Sequence, residues 1–160
     1  MASKFKKTSE RRRATVVGAR QTAPAVPARL DDNERPVVLV VDDDEDARII
    51  YSTYLRAMGC EVFTADDGRP AVEKATDLLP DIIVMDLAMP RVNGWDAIRR
   101  LHESSWTSLI PIIAVSAVQV SRQTAFEAGC DAYLTKPCEP QVLWSQIRAL
   151  LKLPARASLS

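Results

Sequence analysis

Five residues in this sequence could share one piece of chemistry: Asp42, Asp43, Asp86, Ser116 and Lys136. Each follows or closes a strand-like run. Carboxylates crowded together repel, and some take up protons unless a cation is present. The prospective ligands are all oxygens, without His or Cys, so the cation should be hard. Few protein ligands and a small cleft favour Mg²⁺, with water completing the octahedron, over Ca²⁺. A lysine beside such a cluster points to an anionic ligand, and a serine adds a hydroxyl donor. Metal, ammonium and hydroxyl offer one contact to each equatorial oxygen of a phosphoryl group. The attacking group would be a carboxylate, giving an acyl phosphate.

The elements that must bring these residues together follow from the apolar pattern. Val37 to Val41 is an unbroken aliphatic run, as expected for a strand buried on both faces. The acids 42–46 end it, and a helix should follow. Ala47, Ile50, Tyr51, Tyr54, Leu55 and Met58 fall on one helical face, and Gly59 stops it. A second strand is predicted at 61–65 and a second helix from about Pro70 to Leu79, with Val72, Ala75 and Leu79 inward. Ile82 to Met85 is the third strand and stops at Asp86. Asn93-Gly94 turns the chain into a third helix, 95–103, that presents Trp95, Ile98 and Leu101 or His102. A strand at 111–115 ends at Ser116. A short helix at about 120–128, a strand at 131–135 and a last helix at about 139–152 complete the pattern. Helices alternating with strands serve as crossovers between parallel strands. Right-handed crossovers give a five-stranded, doubly wound parallel sheet with helices on both faces. The strand ends then lie on one edge, where open α/β sheets bind ligands.

Residues 37–152 resemble the receiver domain of bacterial response regulators. The resemblance rests on Val-Val-Asp42-Asp43, Met85-Asp86-Leu87-Ala88-Met89-Pro90, Asn93-Gly94, Ser116-Ala117 and Tyr133-Leu134-Thr135-Lys136-Pro137. It implies the flavodoxin-like strand order 2-1-3-4-5. It implies that Asp86 is the phosphoacceptor. Asp43, Asp86 and the backbone carbonyl of Ala88 would hold Mg²⁺, with Asp42 acting through water. Ser116 and Lys136 would bind phosphoryl oxygens, Tyr133 would be the switch aromatic, and the Lys136–Pro137 bond would be cis. The implied donor is a sensor histidine kinase or a histidine phosphotransfer protein. The implied output is a separate protein, or self-association, through the face of the fourth helix, fifth strand and fifth helix. This makes the expected protein a cytoplasmic single-domain phosphorelay switch more than a metabolic enzyme. Three features depart from the family. The stretch from Ser116 to Tyr133 is about two residues short. Ala88 and Val118 stand where polar side chains can orient the hydrolytic water, which predicts a slow loss of phosphate. The basic N-terminal extension lies outside the family pattern.

That extension carries most of the charge asymmetry. Residues 1–29 hold eight Lys or Arg against one Glu, while the rest holds thirteen against twenty acids. Residues 1–35 and 154–160 read as disordered, leaving a receiver domain at 36–153. Nucleic acid could meet the basic stretch, which gives a rival reading in which the receiver regulates a nucleic-acid-binding tail. A second rival is a phosphotransfer intermediate without conformational output. A phosphohydrolase would want a second acid where Ala88 stands. No membrane contact is expected, since no apolar run of about 18 residues occurs. Cys60, Cys130 and Cys138 are odd in number and lack metal-like spacing, so reduced thiols are expected. His102, the only histidine, should lie on a helix surface and carry no phosphate.

Overall fold

The computed structural model describes residues 34–154. The expectations for the two termini fall outside that range, apart from residues 34, 35 and 154. Ten elements alternate along the chain: β1 (Val37–Val41), α1 (Glu45–Ala57), β2 (Glu61–Ala65), α2 (Gly68–Leu78), β3 (Ile82–Met85), α3 (Gly94–Glu103), β4 (Ile112–Ser116), α4 (Arg122–Glu127), β5 (Ala132–Thr135) and α5 (Pro140–Leu151). The strands form one parallel sheet in the order β2-β1-β3-β4-β5, as the resemblance implied.

Alternation along the strands divides the core. Leu39, Val41, Ile83, Met85, Ile112 and Ala114 face Ala71, Ala75, Ala97, Ile98, Leu101 and Ala125 from α2, α3 and α4. Val38, Val40, Ile82, Val84, Ile113 and Val115 face Tyr51 and Leu55 of α1 and Leu143 and Ile147 of α5. Both faces of the central strands are therefore dry, which explains their uninterrupted apolar runs. Among the described residues no helix is long and apolar enough to cross a membrane.

Local chemistry sets the helix starts. Asp44, Asp67, Asn93 and Ser121 each accept a backbone N–H at an N-cap, and Glu45 and Asp46 suit the positive end of α1. Two expectations need correction. Ile50 is not inward: it is 54% exposed, beside Ile49 at 53%, and the buried face of α1 is Tyr51, Ser52 and Leu55. Ser52 tolerates burial because its hydroxyl donates to the Ile49 carbonyl. Leu79 does not pack inward as part of α2. It is the half-buried left-handed cap (φ 46°), and Ala71 takes the inward role with Ala75.

At the opposite edge from the acids, a paired device fixes register. Asp81 N–H donates to Val37 O at 2.8 Å, and Asp81 Oδ2 accepts Val37 N–H at 2.7 Å. Asp131 clasps Ile112 in the same way, at 2.8 Å in each direction. Each aspartate precedes one strand and holds the first residue of its neighbour. Asp81 is 4% exposed, so its loss strands a buried N–H. Asp81→Ala should destabilise the protein by about 1–3 kcal/mol. The urea midpoint should fall without a change in slope, and Asp81→Asn, which keeps an acceptor, should fall less.

Candidate functional site

The sheet delivers the acids to one edge. Asp42 and Asp86 continue the strand ladders by donating to Ala65 O and Val41 O, which leaves their side chains at the strand ends, 3% and 4% exposed. Asp43 follows and is exposed. One carboxylate oxygen from each of the three lies within 4.8 Å of the others. Lys136 leaves β5 with its N–H on Ser116 O at 3.0 Å, and the Lys136–Pro137 peptide is cis.

Each buried carboxylate oxygen has a partner. Asp42 Oδ1 accepts Asp44 N–H at 2.9 Å, and Asp42 Oδ2 accepts Lys136 Nζ at 2.6 Å. Asp86 Oδ1 accepts Ala88 N–H at 2.9 Å, and Asp86 Oδ2 accepts the same ammonium at 3.2 Å. Asp43 alone accepts no hydrogen bond or ion pair from the described residues. Burial pushes the Asp86 carboxyl above its ordinary range. The Ala88 N–H and Lys136 oppose the shift, and the charge on Asp42 adds to it. Burial works against the Lys136 charge too, but the hydrogen bond to Asp42, with the charges of Asp42 and Asp86, outweighs it and holds the ammonium above its usual value.

The donor set fits a hard cation. It is all carboxylate and convergent, and Asp43 has no partner among the described residues. One ammonium against three carboxylates leaves negative charge that a divalent ion would balance.

Ser116 and Tyr133 form a second group. Ser116 is fully buried, and its Oγ accepts Val118 N–H at 3.2 Å, while the Tyr133 hydroxyl donates to Val118 O. Ser116 is tied to the acids through the Lys136 backbone, and no hydrogen bond joins it to Asp86. Ala88 meets Asp86 through its N–H. Its side chain and that of Val118 are exposed.

Three supports escaped the sequence reading. Arg48 Nη1 donates to Asp42 O at 2.7 Å and Asp43 O at 3.1 Å. The Tyr51 hydroxyl, with its pKa pushed up by burial, donates to Cys138 O at 2.9 Å and steadies the loop after Lys136. Gly94, read only as a turn, lies against the Asp86 backbone: a Cβ there would sit 2.2 Å from Asp86 O. No sequence pattern announces a side chain bound to a backbone carbonyl.

His102 is a correction. It is half-buried, with Nδ1 3.3 Å from Ser108 O and Nε2 3.0 Å from Gly129 O. It joins α3 to the segments that carry Ser108 and Gly129. Gly129 has φ +103°, and a Cβ there would strike the imidazole at 2.2 Å. All three cysteines are free, and burial pushes Cys130 up to about 11.

The chain is similar in sequence and fold to known proteins. The sequence profile of the response regulator receiver domain matches residues 38–148. The DNA-binding dual master transcriptional regulator RpaA of Synechocystis is 34% identical over 119 residues, covering 73% of this chain and 49% of that protein. The chain spans about half the length of the curated relatives it matches. The chemotaxis protein CheY4 of Vibrio cholerae superposes with a TM-score of 0.69 at 30% identity, covering 72% of this chain and 98% of that one. The receiver domain of the sensor histidine kinase PA1611 of Pseudomonas aeruginosa, solved with magnesium in its active-site cleft, gives 0.68 at 28% identity over 74% and 99%.

Proposed function

The chain belongs to the response regulator receiver domain family, and from that premise we propose that Asp86 accepts a phosphoryl group from a histidine kinase or histidine phosphotransfer protein. The observation that carries this reading is the Lys136 ammonium shared between Asp42 and Asp86, with the exposed carboxylate of Asp43 alongside.

The steps follow from these contacts. An oxygen of ionised Asp86 attacks phosphorus, the P–N bond to the donor imidazole breaks, and that nitrogen keeps the electron pair and takes a proton from solvent. The Ala88 N–H fixes one carboxylate oxygen during approach. Lys136, already against Asp86 Oδ2, turns to a phosphoryl oxygen, and Ser116 gives up Val118 N–H for another. Asp43, Asp86 and the Ala88 carbonyl, with Asp42 acting through water, would hold a Mg²⁺, which when bound would supply neutralisation of charge on the transferring group. Ser116 and Tyr133 both hold Val118, so a move by Ser116 releases the Tyr133 hydroxyl. Change at Val118 then reaches the α4–β5–α5 face, and output is binding of a partner or self-association there. Exposed Ile49 and Ile50, one turn beyond the acidic start of α1, offer the donor protein an apolar foothold beside the site.

The test is incubation with Mg²⁺ and acetyl phosphate, followed by mapping of a base-labile phosphoryl group. A single modification on Asp86 is expected. Modification elsewhere, or none, would remove the proposal. Phosphate passed on to a histidine protein without any change at α4 would favour the relay-only reading.

The exposed, apolar side chains of Ala88 and Val118 predict a slow loss of the phosphoryl group. Ala88→Asn should speed loss of the phosphoryl group several-fold, because an amide there can orient water for attack. An unchanged decay constant would show that position 88 does not govern hydrolysis.

A second reading is favoured by the basic residues 1–29 and by the DNA-binding name of the RpaA relative. The receiver would then regulate contact with nucleic acid. That affinity should fall steeply with salt and be lost on removing residues 1–29.

A further inference from the structure

We propose that Arg48 is a positioning residue for the metal, an inference that rests on the phosphoacceptor reading above. Asp43 is the open ligand of the cluster, yet it lies in the loop between β1 and α1, past the last residue of the sheet. Its carboxylate can converge with those of Asp42 and Asp86 only if the backbone at 42–43 is held. The sheet ladder supplies one restraint, Asp42 N–H on Ala65 O at 3.1 Å, and the Asp42 carboxylate supplies another by accepting Asp44 N–H. Neither restrains the carbonyls. Arg48 does, since its Nη1 donates to both, at 2.7 Å and 3.1 Å.

The choice of partner is informative. Arg48 sits two residues past the run Asp42, Asp43, Asp44, Glu45 and Asp46, yet among the described residues it makes no ion pair with any of them. Its planar group bridges two successive carbonyls. Because α1 carries Arg48, and Tyr51 and Leu55 anchor α1 to the sheet, the loop is braced against the core. The guanidinium holds no metal ligand side chain; it aims one by fixing the backbone that carries it. Its positive charge would act the other way, repelling a cation. The Arg48 charge is half-exposed and screened, whereas loss of the brace frees the backbone at both acids, so geometry is the larger effect.

Binding of Mn²⁺, followed by electron paramagnetic resonance without any phosphodonor, separates these effects. Arg48→Ala should weaken binding about tenfold or more, the usual size for loss of a group that orients metal ligands. Arg48→Lys keeps the charge on a shorter point donor and should recover only part of that loss. Arg56→Ala is the control: Arg56 donates to Val62 O at 3.0 Å from the last turn of the same helix, away from the acids. It should leave affinity within about twofold, the scatter expected for an independent site. Affinity unchanged or tightened in Arg48→Ala, restored in full by Lys, or weakened equally by Arg56→Ala would each overturn the inference and leave the function standing. A wild type that binds no Mn²⁺ would remove the metal reading itself and the inference with it.

Discussion

Asp86→Asn should take up no phosphoryl group from acetyl phosphate, and it should unfold at a higher urea concentration than the wild type at neutral pH. The two effects have one origin. Asp86 is buried at a strand end, and burial raises its pKa in spite of the Ala88 N–H and Lys136. A carboxylate whose folded pKa lies above the unfolded one adds stability below the unfolded value, and loses it as pH rises through the folded value. At neutral pH the ionised group is therefore a burden on the fold. Asn keeps the shape and an acceptor for Ala88 while removing the charge and the nucleophile. Its advantage should shrink on acidification, as the wild-type group protonates. Lys136 keeps its shorter bond, to Asp42, so the ammonium is not orphaned. Urea titrations at neutral and acid pH check the sign. A variant less stable than wild type at neutral pH would mean that attraction to Lys136 outweighs burial, and persistent modification would place the nucleophile elsewhere.

The strands and the order of their ends were legible because burial on both faces writes a continuous apolar run. That alone brought Asp42, Asp43, Asp86 and Lys136 to one edge. Helix faces were less legible. In α1, Ile50 fits the apolar period, but Ser52 takes the inner position because its hydroxyl is satisfied within its own turn. Hydropathy cannot distinguish a polar residue with an internal partner from one facing water. The same limit hid Arg48 and Tyr51, whose partners are backbone carbonyls that exist at those places only after folding. His102 looked like a surface residue for that reason too. Ser116 was rightly placed at a strand end, but its hydroxyl meets Val118 N–H and not Asp86. The sequence contains the residue types of the candidate site, while the structure holds one arrangement of them.

Gly94→Ala should damage both the fold and phosphoryl uptake. A Cβ at 94 would lie 2.2 Å from Asp86 O, 2.7 Å from Leu87 Cα and 2.9 Å from Asp86 C. All three are backbone atoms, so no rotamer change relieves the contact. Helix propensity favours Ala by about 1 kcal/mol, but overpacking against fixed backbone costs about 1–3 kcal/mol or more, so a net loss of stability is expected. The effect on chemistry should be larger. Relief requires either α3 or the Asp86–Leu87 backbone to move, and Gly94 N–H also donates to Leu87 O at 3.3 Å. Displacing a nucleophile by about 1 Å can cost on the order of a hundredfold in rate. Phosphoryl uptake should fall by about that factor under conditions where the variant is still folded by circular dichroism. Gly68→Ala provides the comparison. Its Cβ would meet Val92 O at 2.4 Å and Val92 Cγ1 at 2.8 Å, a contact with the loop after β3 and not with the backbone of Asp86. It should lower stability with a smaller effect on uptake. Equal effects on uptake from both variants would mean that the loop as a whole, and not the contact at Asp86, sets the reactive geometry.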